Sequence, residues 1–332
     1  MKAAYLLQTG GPECILYGDI APPVLDDDSV LVEVSAVSVN PIDTYIRAGA
    51  NYWELPKPFV IGCDFAGRVL ATGSRVRDVP IGQRVWGSNQ GLLGRQGTFG
   101  QRAVIDPVWL YASPESVPDT DLAAVALVGI TAHLGLFDRA RLQPGETIFV
   151  RGGTGGVGAM VLQMAKAIGA KVITTAGSSE KAERCRSLGA DHVIEYNSAD
   201  TQESLMRLAP KGVDVYWETL REPDFDAAVA AMSPGGRIVL MAGRDARPAF
   251  PVGPFYVKGC SLFGFAMFKA SPESQRRAAE DINHWMASGK LQAQIDRILP
   301  LSEAAEAHRL QESNTLNKSS VLQGKIVLKI EK

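Results

Sequence analysis

The chain has 332 residues, of which 46% are hydrophobic, and its 34 basic residues nearly balance its 36 acidic ones. This length exceeds what one hydrophobic core usually supports and predicts two globular domains. A net charge of -2 provides no positive field that would hold a polyanion, so we expect no nucleic-acid partner.

The N-terminal sequence MKAAYLLQTG lacks the apolar core and the cleavage site of a secretory signal. No uninterrupted apolar stretch reaches the roughly 20 residues that a membrane helix needs. We therefore expect a soluble, cytoplasmic protein that has no membrane partner. The four cysteines lack paired spacing and are expected to be reduced thiols: Cys14, Cys63, Cys185 and Cys260.

The first third of the chain has the pattern of a β-rich domain. Apolar residues alternate in Ala3–Leu7, Ile15–Ile20 and Val30–Val39, and Gly, Pro or Asp bound each run. Residues 67–85 then space valines and glycines as strand, turn and strand. The sequence predicts a small barrel or a folded sheet here, and a helix over Asp121–Leu136 after it.

A glycine-rich segment, TIFVRGGTGGVG at residues 147–158, is the most informative part of the sequence. An apolar run typical of a strand breaks into glycines and continues into the helical pattern AMVLQMAKAIGA. The glycines fit G-x-G-x-x-G, in which they permit a sharp turn, a close approach to a pyrophosphate and tight helix packing. The predicted dinucleotide-binding turn comprises Gly153, Gly155, Gly156, Val157 and Gly158.

Four further apolar runs follow the glycine segment, each separated from the next by a helix-length stretch. They are Lys171–Thr175, His192–Tyr196, Val213–Trp217 and Arg237–Ala242. Strands that alternate with helices predict a doubly wound parallel sheet, so the glycine motif lies in the context that it requires.

The end of the second predicted strand bears on which nicotinamide coenzyme is bound. NAD enzymes usually place Asp or Glu there, whereas this chain has Gly177, Ser178 and, three residues on, Lys181. A serine hydroxyl and a lysine ammonium suit a 2′-phosphate, which favours NADPH. In the competing interpretation Glu180 turns back to the ribose and Lys181 is merely solvated. Tyr196 either flanks the same phosphate or packs at the sheet edge.

A catalytic zinc ion would need three ligands from Cys, His, Asp and Glu. The four histidines are absent from the β-rich region: they are His133, His192, His284 and His308. Cys63 and Asp64 are adjacent, but a buried thiol beside a turn carboxylate is commoner than a metal site. We expect no metal ion.

The C-terminal part begins with a long helical pattern from Ser271 to Ser288, and a shorter one starts at Ser302. The final run, Lys325–Ile330, has the pattern of a strand but no partner nearby in sequence. We predict that it pairs with the N-terminal sheet, so that the C-terminus completes the first domain.

Five segments occur in an order found in one protein family: VNPIDTYIRAG at 39–49, GIT at 129–131, GGTGGVG at 152–158, LGADHVIEY at 188–196 and GKIVL at 324–328. In these segments the chain resembles the zinc-free quinone oxidoreductases of the medium-chain dehydrogenase/reductase superfamily, over nearly its whole length. The resemblance implies an α/β protein with a GroES-like catalytic domain (1–125 and 268–332) and a Rossmann domain (126–267).

The resemblance also implies roles for individual residues. Asn40 to Thr44 would line the cleft near the nicotinamide, and Gly177 to Lys181 together with Tyr196 would hold the 2′-phosphate. Zinc-binding relatives have Gly-His-Glu where this chain has Gly62, Cys63 and Asp64. A tyrosine common in the family is displaced here by one residue, at Tyr52. The full set of expected coenzyme contacts is Asn40, Asp43, Thr44, Thr131, Gly153, Gly155, Gly156, Val157, Gly158, Gly177, Ser178, Lys181, Tyr196 and Gly243.

The function implied is hydride transfer from NADPH to a quinone. The developing negative charge on oxygen needs a donor, for which Asn40, Tyr45 and Tyr52 are the candidates, although either tyrosine could instead only shape the pocket. An alternative is an alkenal, enone or enoyl-thioester reductase, and a further one is an NADPH-binding protein with a structural or regulatory role. Because relatives join their Rossmann sheets edge to edge, we expect a homodimer formed through the apolar run Cys260–Met267.

Overall fold

A computed structural model describes residues 1–50, 53–316 and 322–331 of the chain. The chain divides into two compact units. Unit 1 comprises Met1–Leu127, Ser271–Ala287 and Gln292–Lys332, and unit 2 comprises Val128–Ala270 and Ser288–Leu291.

The N-terminal elements are mostly short strands, as the alternating pattern predicted. β3 shows why: Val30, Val32 and Val34 are buried, while the residues between them are half-exposed, which is the period-2 burial of a strand. The elements are β1 (Lys2–Leu6), β2 (Leu16–Asp19), β3 (Val30–Ser38), α1 (Pro41–Arg47), β4 (Phe59–Val60), β5 (Phe65–Thr72), β6 (Arg84–Gly87), β7 (Arg102–Ile105), β8 (Tyr111–Ala112) and α2 (Asp119–His133).

The helix α2 continues into a π-helical turn, Leu134–Arg139. Together they form a helix whose length and mean hydropathy of 1.6 would suit a membrane span, but 78% of its apolar window is buried inside the protein. This degree of burial is that of a core helix. His133 is buried within it, and its ring contacts that of Phe137 edge to face.

Unit 2 alternates strands and helices. The elements are β9 (Thr147–Val150), α3 (Gly156–Ala167), β10 (Lys171–Ala176), α4 (Ser179–Ser187), β11 (His192–Glu195), α5 (Thr201–Leu208), β12 (Val213–Glu218), α6 (Phe225–Ala231), β13 (Met232–Leu240), α7 (Val252–Val257) and β14 (Ser261–Gly264). The strands form one parallel sheet in the order β11-β10-β9-β12-β13-β14. This doubly wound order confirms the predicted Rossmann fold, and it makes β14 an edge strand.

The C-terminal elements are α8 (Pro272–Ala287), β15 (Ile295–Pro300), α9 (Ala304–Leu316) and β16 (Lys325–Lys329). β16 pairs antiparallel with β3, with Val327 opposite Ser38, and parallel with β15. The prediction that the last strand joins the N-terminal sheet is thus confirmed. Unit 1 contains a seven-stranded sheet in the order β15-β16-β3-β5-β6-β8, in which β7 also pairs with β3, and a three-stranded sheet β2-β1-β4.

Candidate functional site

The glycine-rich turn connects β9 to α3 at the carboxyl edge of the parallel sheet. Gly152 has a φ of +86°, a conformation that side-chain-bearing residues rarely adopt. Gly155 is the N-cap of α3, and Gly156 and Val157 form the first helical turn. The first N–H groups of a helix have no partner inside it, so this turn presents donors to an anion.

The motif glycines are needed for different reasons. A Cβ on Gly153 would lie 2.4 Å from the Thr174 hydroxyl, and one on Gly158 would lie 2.1 Å from the Gly152 carbonyl oxygen. A Cβ on Gly155 would be 3.5 Å from its nearest neighbour, an ordinary contact. Gly153 and Gly158 therefore permit close packing, whereas Gly155 leaves its outer side open. The residue with the positive φ is Gly152, which lies one position before the motif. In the sequence, the doubled glycine at 152–153 indicated this conformation.

Four residues predicted to hold the coenzyme 2′-phosphate lie together at the tip of β10. Ser178 is the N-cap of α4, and its hydroxyl accepts a hydrogen bond from the Lys181 N–H at 3.3 Å. Tyr196 directly follows β11, and its phenol oxygen would lie 2.3 Å from a Cβ on Gly177. The absence of a side chain at Gly177 thus makes room for the tyrosine. In the described part of the chain, Lys181 forms no ion pair.

A carboxylate near this tip was missed in the sequence. Glu195, the last residue of β11, accepts a hydrogen bond from the Ser179 hydroxyl at 2.9 Å. Its parallel register with Ala176 places it beside the end of β10. The sequence signal was its position at the end of the third strand, next to Tyr196. Glu180, the acidic residue of the competing interpretation, is exposed in the first turn of α4.

Two expected coenzyme contacts lie elsewhere in unit 2. Thr131 is buried in α2, and its hydroxyl has no hydrogen-bond partner among the described residues. Gly243 follows β13 with a φ of +82°. A cavity of about 540 Å³ adjoins Tyr196, with Arg151 and Tyr216 also in its wall.

In unit 1, the NPIDTYIR segment forms the short helix α1. Pro41 occupies its first turn, where a missing N–H costs nothing, and Asn40 is its N-cap. The Asp43 carboxylate accepts a hydrogen bond from the Asn40 backbone N–H at 2.7 Å. Thr44 is buried, and its hydroxyl donates to the Pro41 carbonyl oxygen at 2.7 Å. The sequence pattern did not predict this helix.

The Asp64 carboxylate is the centre of a buried polar cluster beside α1. It accepts hydrogen bonds from Asn40 Nδ2 at 2.7 Å, Ser38 Oγ at 2.8 Å and Ser88 Oγ at 2.6 Å. The Lys325 ammonium donates to Asn40 Oδ1 and, at 2.7 Å, to the Val39 carbonyl oxygen. Both ends of the Asn40 amide are therefore occupied within the cluster.

Burial governs the titration of these groups. It raises the pKa of the Asp43 carboxyl to about 7, although hydrogen bonds from the Cys63 thiol and the Asn40 N–H oppose the rise. Burial also raises the pKa of Asp64, against the opposing effect of the Lys325 ammonium, and raises the pKa of the Cys63 thiol well above its ordinary value. The same burial lowers the pKa of Lys325.

These residues do not fit a metal ion. The Asp64 carboxylate oxygens are already engaged by three donors, and a lysine ammonium lies in the same cluster. Within residues 1–50, 53–316 and 322–331, no group of three or more His, Cys, Asp or Glu side chains is placed to hold a metal.

Of the two tyrosines proposed as hydrogen-bond donors, the structure describes Tyr45. Tyr45 lies on α1 and is half-buried, five residues after the N-cap Asn40. Tyr52 lies outside the described residues.

Two family models match the chain. Residues 26–115 match the alcohol dehydrogenase GroES-like domain, and residues 156–284 match a model described as zinc-binding dehydrogenase. The first lies in unit 1, and the second begins in the glycine turn and runs through the parallel sheet.

Curated relatives that match over most of the chain are also dehydrogenases or reductases. Quinone oxidoreductase of Sus scrofa is 31% identical, over 93% of each chain. A trans-enoyl reductase of Aspergillus terreus is 30% identical, over 92% of this chain and 88% of its own.

Solved structures superpose over essentially the full length. An NAD-dependent alcohol dehydrogenase is 28% identical with a TM-score of 0.89, covering 100% of both chains. Escherichia coli quinone oxidoreductase, solved with NADPH, is 26% identical with a TM-score of 0.84, covering 99% of this chain and 100% of its own. The chain belongs to the quinone oxidoreductase branch of the medium-chain dehydrogenase/reductase superfamily.

Proposed function

We propose that the protein is an NADPH-dependent oxidoreductase that transfers hydride to a quinone and needs no metal ion. The observation that carries the proposal is the glycine turn together with Ser178 and Lys181 at the tip of β10, in a chain whose relatives include quinone oxidoreductases. We place the enzyme in the cytoplasm, as the sequence led us to expect.

The glycine turn fits a dinucleotide. The open side of Gly155 permits a pyrophosphate to approach the N–H groups at the start of α3. We assign the 2′-phosphate to Ser178, Lys181 and Tyr196, because the serine hydroxyl can donate and the ammonium supplies positive charge. When bound, NADPH supplies the hydride. Thr131 and Gly243 complete the proposed coenzyme contacts in unit 2.

The 2′-phosphate assignment is tested by coenzyme preference. Ser178→Ala and Lys181→Ala should each raise the Kd for NADPH about tenfold and leave that for NADH within about twofold, because only NADPH carries the phosphate. Titration of coenzyme fluorescence measures both. Arg186→Ala is the matched control, since Arg186 is a basic residue of the same helix that pairs with Glu183. Equal losses for both coenzymes would contradict the assignment.

The acceptor side is assigned to α1 and its neighbours. Reduction of a quinone leaves negative charge on oxygen, which a hydrogen-bond donor must stabilise. Because Lys325 and Asp64 occupy the Asn40 amide, we assign Asn40 a positioning role. Asp43 and Thr44, its neighbours on α1, remain proposed contacts near the nicotinamide. We assign the donor role to the tyrosines, Tyr45 or Tyr52.

Phenylalanine variants separate the two tyrosines. The variant that removes the donor should lower kcat by about tenfold to a hundredfold with the Kd for NADPH unchanged, because general-acid assistance contributes at least this much. Tyr45→Phe, Tyr52→Phe and the double variant are compared with one quinone. An undiminished rate in the double variant would exclude both.

A second candidate function is the reduction of an enone or enoyl thioester, which the identity to a trans-enoyl reductase favours. The deciding experiment measures NADPH oxidation with a 1,4-quinone, an alkenal and an enoyl thioester side by side. We expect the highest kcat/KM with the quinone. Preference for either other acceptor would establish the second function instead. Tight NADPH binding without turnover of any acceptor would support a structural or regulatory role.

We also propose a homodimer joined through β14. This edge strand pairs with β13 on one side, and exposed apolar side chains lie on it and on the preceding helix: Tyr256, Val257 and Leu262. An unpaired apolar edge favours pairing with a second copy. Light scattering should give a dimer mass that Leu262→Arg shifts toward the monomer. Leu16→Arg, at a similarly exposed leucine on the edge strand β2, is the control and should leave the mass unchanged.

A further inference from the structure

Lys325 is a buried lysine that the proposed reaction has not used. It is the first residue of β16 and is 5% exposed. Its ammonium donates to the Val39 carbonyl oxygen at 2.7 Å and to Asn40 Oδ1. Burying a lysine ammonium is costly unless it is paired and hydrogen-bonded, so these contacts are what retain a charged group here.

The Asn40 amide joins this cation to an anion. Its oxygen faces the Lys325 ammonium, and its nitrogen donates to Asp64 Oδ2 at 2.7 Å. Rotating the amide by half a turn would set its oxygen against the carboxylate and its NH₂ group against the ammonium. The two charges therefore hold the amide in one orientation.

The same residue starts the helix α1. The Asn40 backbone N–H donates to Asp43 at 2.7 Å, and the Val39 N–H donates to the Ile326 carbonyl oxygen at 3.0 Å. The end of β3 and the first turn of α1 are thus tied to β16 by both backbone and side-chain hydrogen bonds. We infer that Lys325 is a positioning residue, which fixes Asn40 and the first turn of α1 for binding and reduction of the acceptor. This inference rests on the proposed function of the α1 segment.

The first test removes the positive charge of Lys325 and keeps a side chain of similar length. Lys325→Met should lower kcat/KM for the quinone at least tenfold and change the Kd for NADPH less than twofold, because the proposed coenzyme phosphate contacts lie in unit 2. Lys329→Met is the matched control, since Lys329 lies on the same strand but is exposed; its kcat/KM should remain at the wild-type value. A Lys325→Met enzyme with kcat/KM within twofold of wild type would overturn the inference, as would an equal loss of NADPH binding.

A second variant separates positioning from simple charge balance. In Lys325→Met/Asp64→Asn the lost positive charge is matched by a lost negative one, so folding should be restored even if the single variant fails to fold. We expect its kcat/KM to exceed that of a folded single variant and to stay at least threefold below wild type. A wild-type value would show that the lysine only balances charge, which would overturn the positioning role.

Hydrogen exchange distinguishes failure of this inference from failure of the proposed function. If the wild-type protein reduces no quinone, the proposed function fails, but the amides of residues 39–49 still report the position of α1. These amides should exchange at least tenfold faster in Lys325→Met than in the control Lys329→Met. If Lys325→Met does not fold, the double variant takes its place in this comparison. Equal exchange would overturn the inference whatever the acceptor.

Discussion

The Arg47 guanidinium, buried at the end of α1, forms an ion pair with the Glu312 carboxylate of α9. Arg47 is 1% exposed and Glu312 is partly exposed, so the pair links the two helices below the surface of unit 1. His308 lies on the same helix and is fully buried; burial, together with the smaller effect of the Arg47 charge, lowers its pKa to about 3. The imidazole is therefore neutral and does not add a second positive charge beside the arginine.

Removing the Glu312 charge should destabilise the protein. Glu312→Gln leaves a buried guanidinium without its counter-ion, which costs on the order of 3 kcal/mol of unfolding free energy. Urea unfolding measures this loss. Glu306→Gln on the same helix is the control, because its ion pair with Arg309 is exposed and contributes less than about 1 kcal/mol. If both variants lost the same unfolding free energy, the buried ion pair would contribute no more to stability than the exposed one, contrary to this prediction.

Two alanine substitutions should separate packing from binding in the glycine turn. Gly158→Ala places a Cβ 2.1 Å from a backbone oxygen, so it should destabilise the protein by about 1–3 kcal/mol. Gly155→Ala meets ordinary contact distances and should leave the melting temperature within about 2 °C. It should nevertheless weaken coenzyme binding about tenfold, because the methyl group occupies the side that the pyrophosphate approaches. The prediction fails if Gly155→Ala binds coenzyme normally.

Gly177→Ala should displace Tyr196. The new Cβ would lie 2.3 Å from the phenol oxygen, but the tyrosine is 54% exposed and can swing outward at little cost in stability. NADPH binding should weaken severalfold if Tyr196 contacts the phosphate, and calorimetric titration measures this. Gly253→Ala is the control, since a Cβ there has no neighbour within 4 Å among the described residues. Unchanged affinity in Gly177→Ala would exclude a role for the tyrosine.

Asp43 should make stability depend on pH. Its folded-state pKa of about 7 exceeds the ordinary 3.8, so between these values the folded protein holds a proton that the unfolded chain has lost. The unfolding free energy should therefore fall as pH rises, by up to about 1.4 kcal/mol per pH unit from this group, and level off above about pH 7.

Asp43→Asn removes this contribution. Its stability relative to wild type should rise between pH 5 and about 7, as measured by urea unfolding at fixed ionic strength. Glu13→Gln, at an exposed carboxylate, is the control whose difference from wild type should stay constant. Parallel curves for Asp43→Asn and wild type would show that the carboxyl titrates normally.

The strands and helices of unit 2 could be predicted because their signals are local. The glycine motif and the apolar runs each indicate a backbone conformation within a few residues. The strand predicted at 237–242 differs at both ends from the observed strand, Met232–Leu240, which begins and ends earlier and includes Pro234 and two glycines. Met232 pairs with Val213 of β12, the register then shifts, and regular pairing with β12 and β14 resumes at Arg237, so the proline and the glycines lie in the irregular part of the strand.

The sequence by itself predicted the doubly wound sheet, the glycine turn and a β-rich first part, because periodicity and glycine spacing are properties of neighbouring residues. That the last strand joins the first sheet followed from its having no partner nearby in sequence. Only the tertiary structure decided that Lys325 meets Asn40 and that Arg47 meets Glu312, pairs separated by 285 and 265 positions. A charged side chain has no preferred partner in the sequence. Its partner is set when folding removes water from it, because a buried charge that lacks a hydrogen-bond partner or a counter-ion is costly.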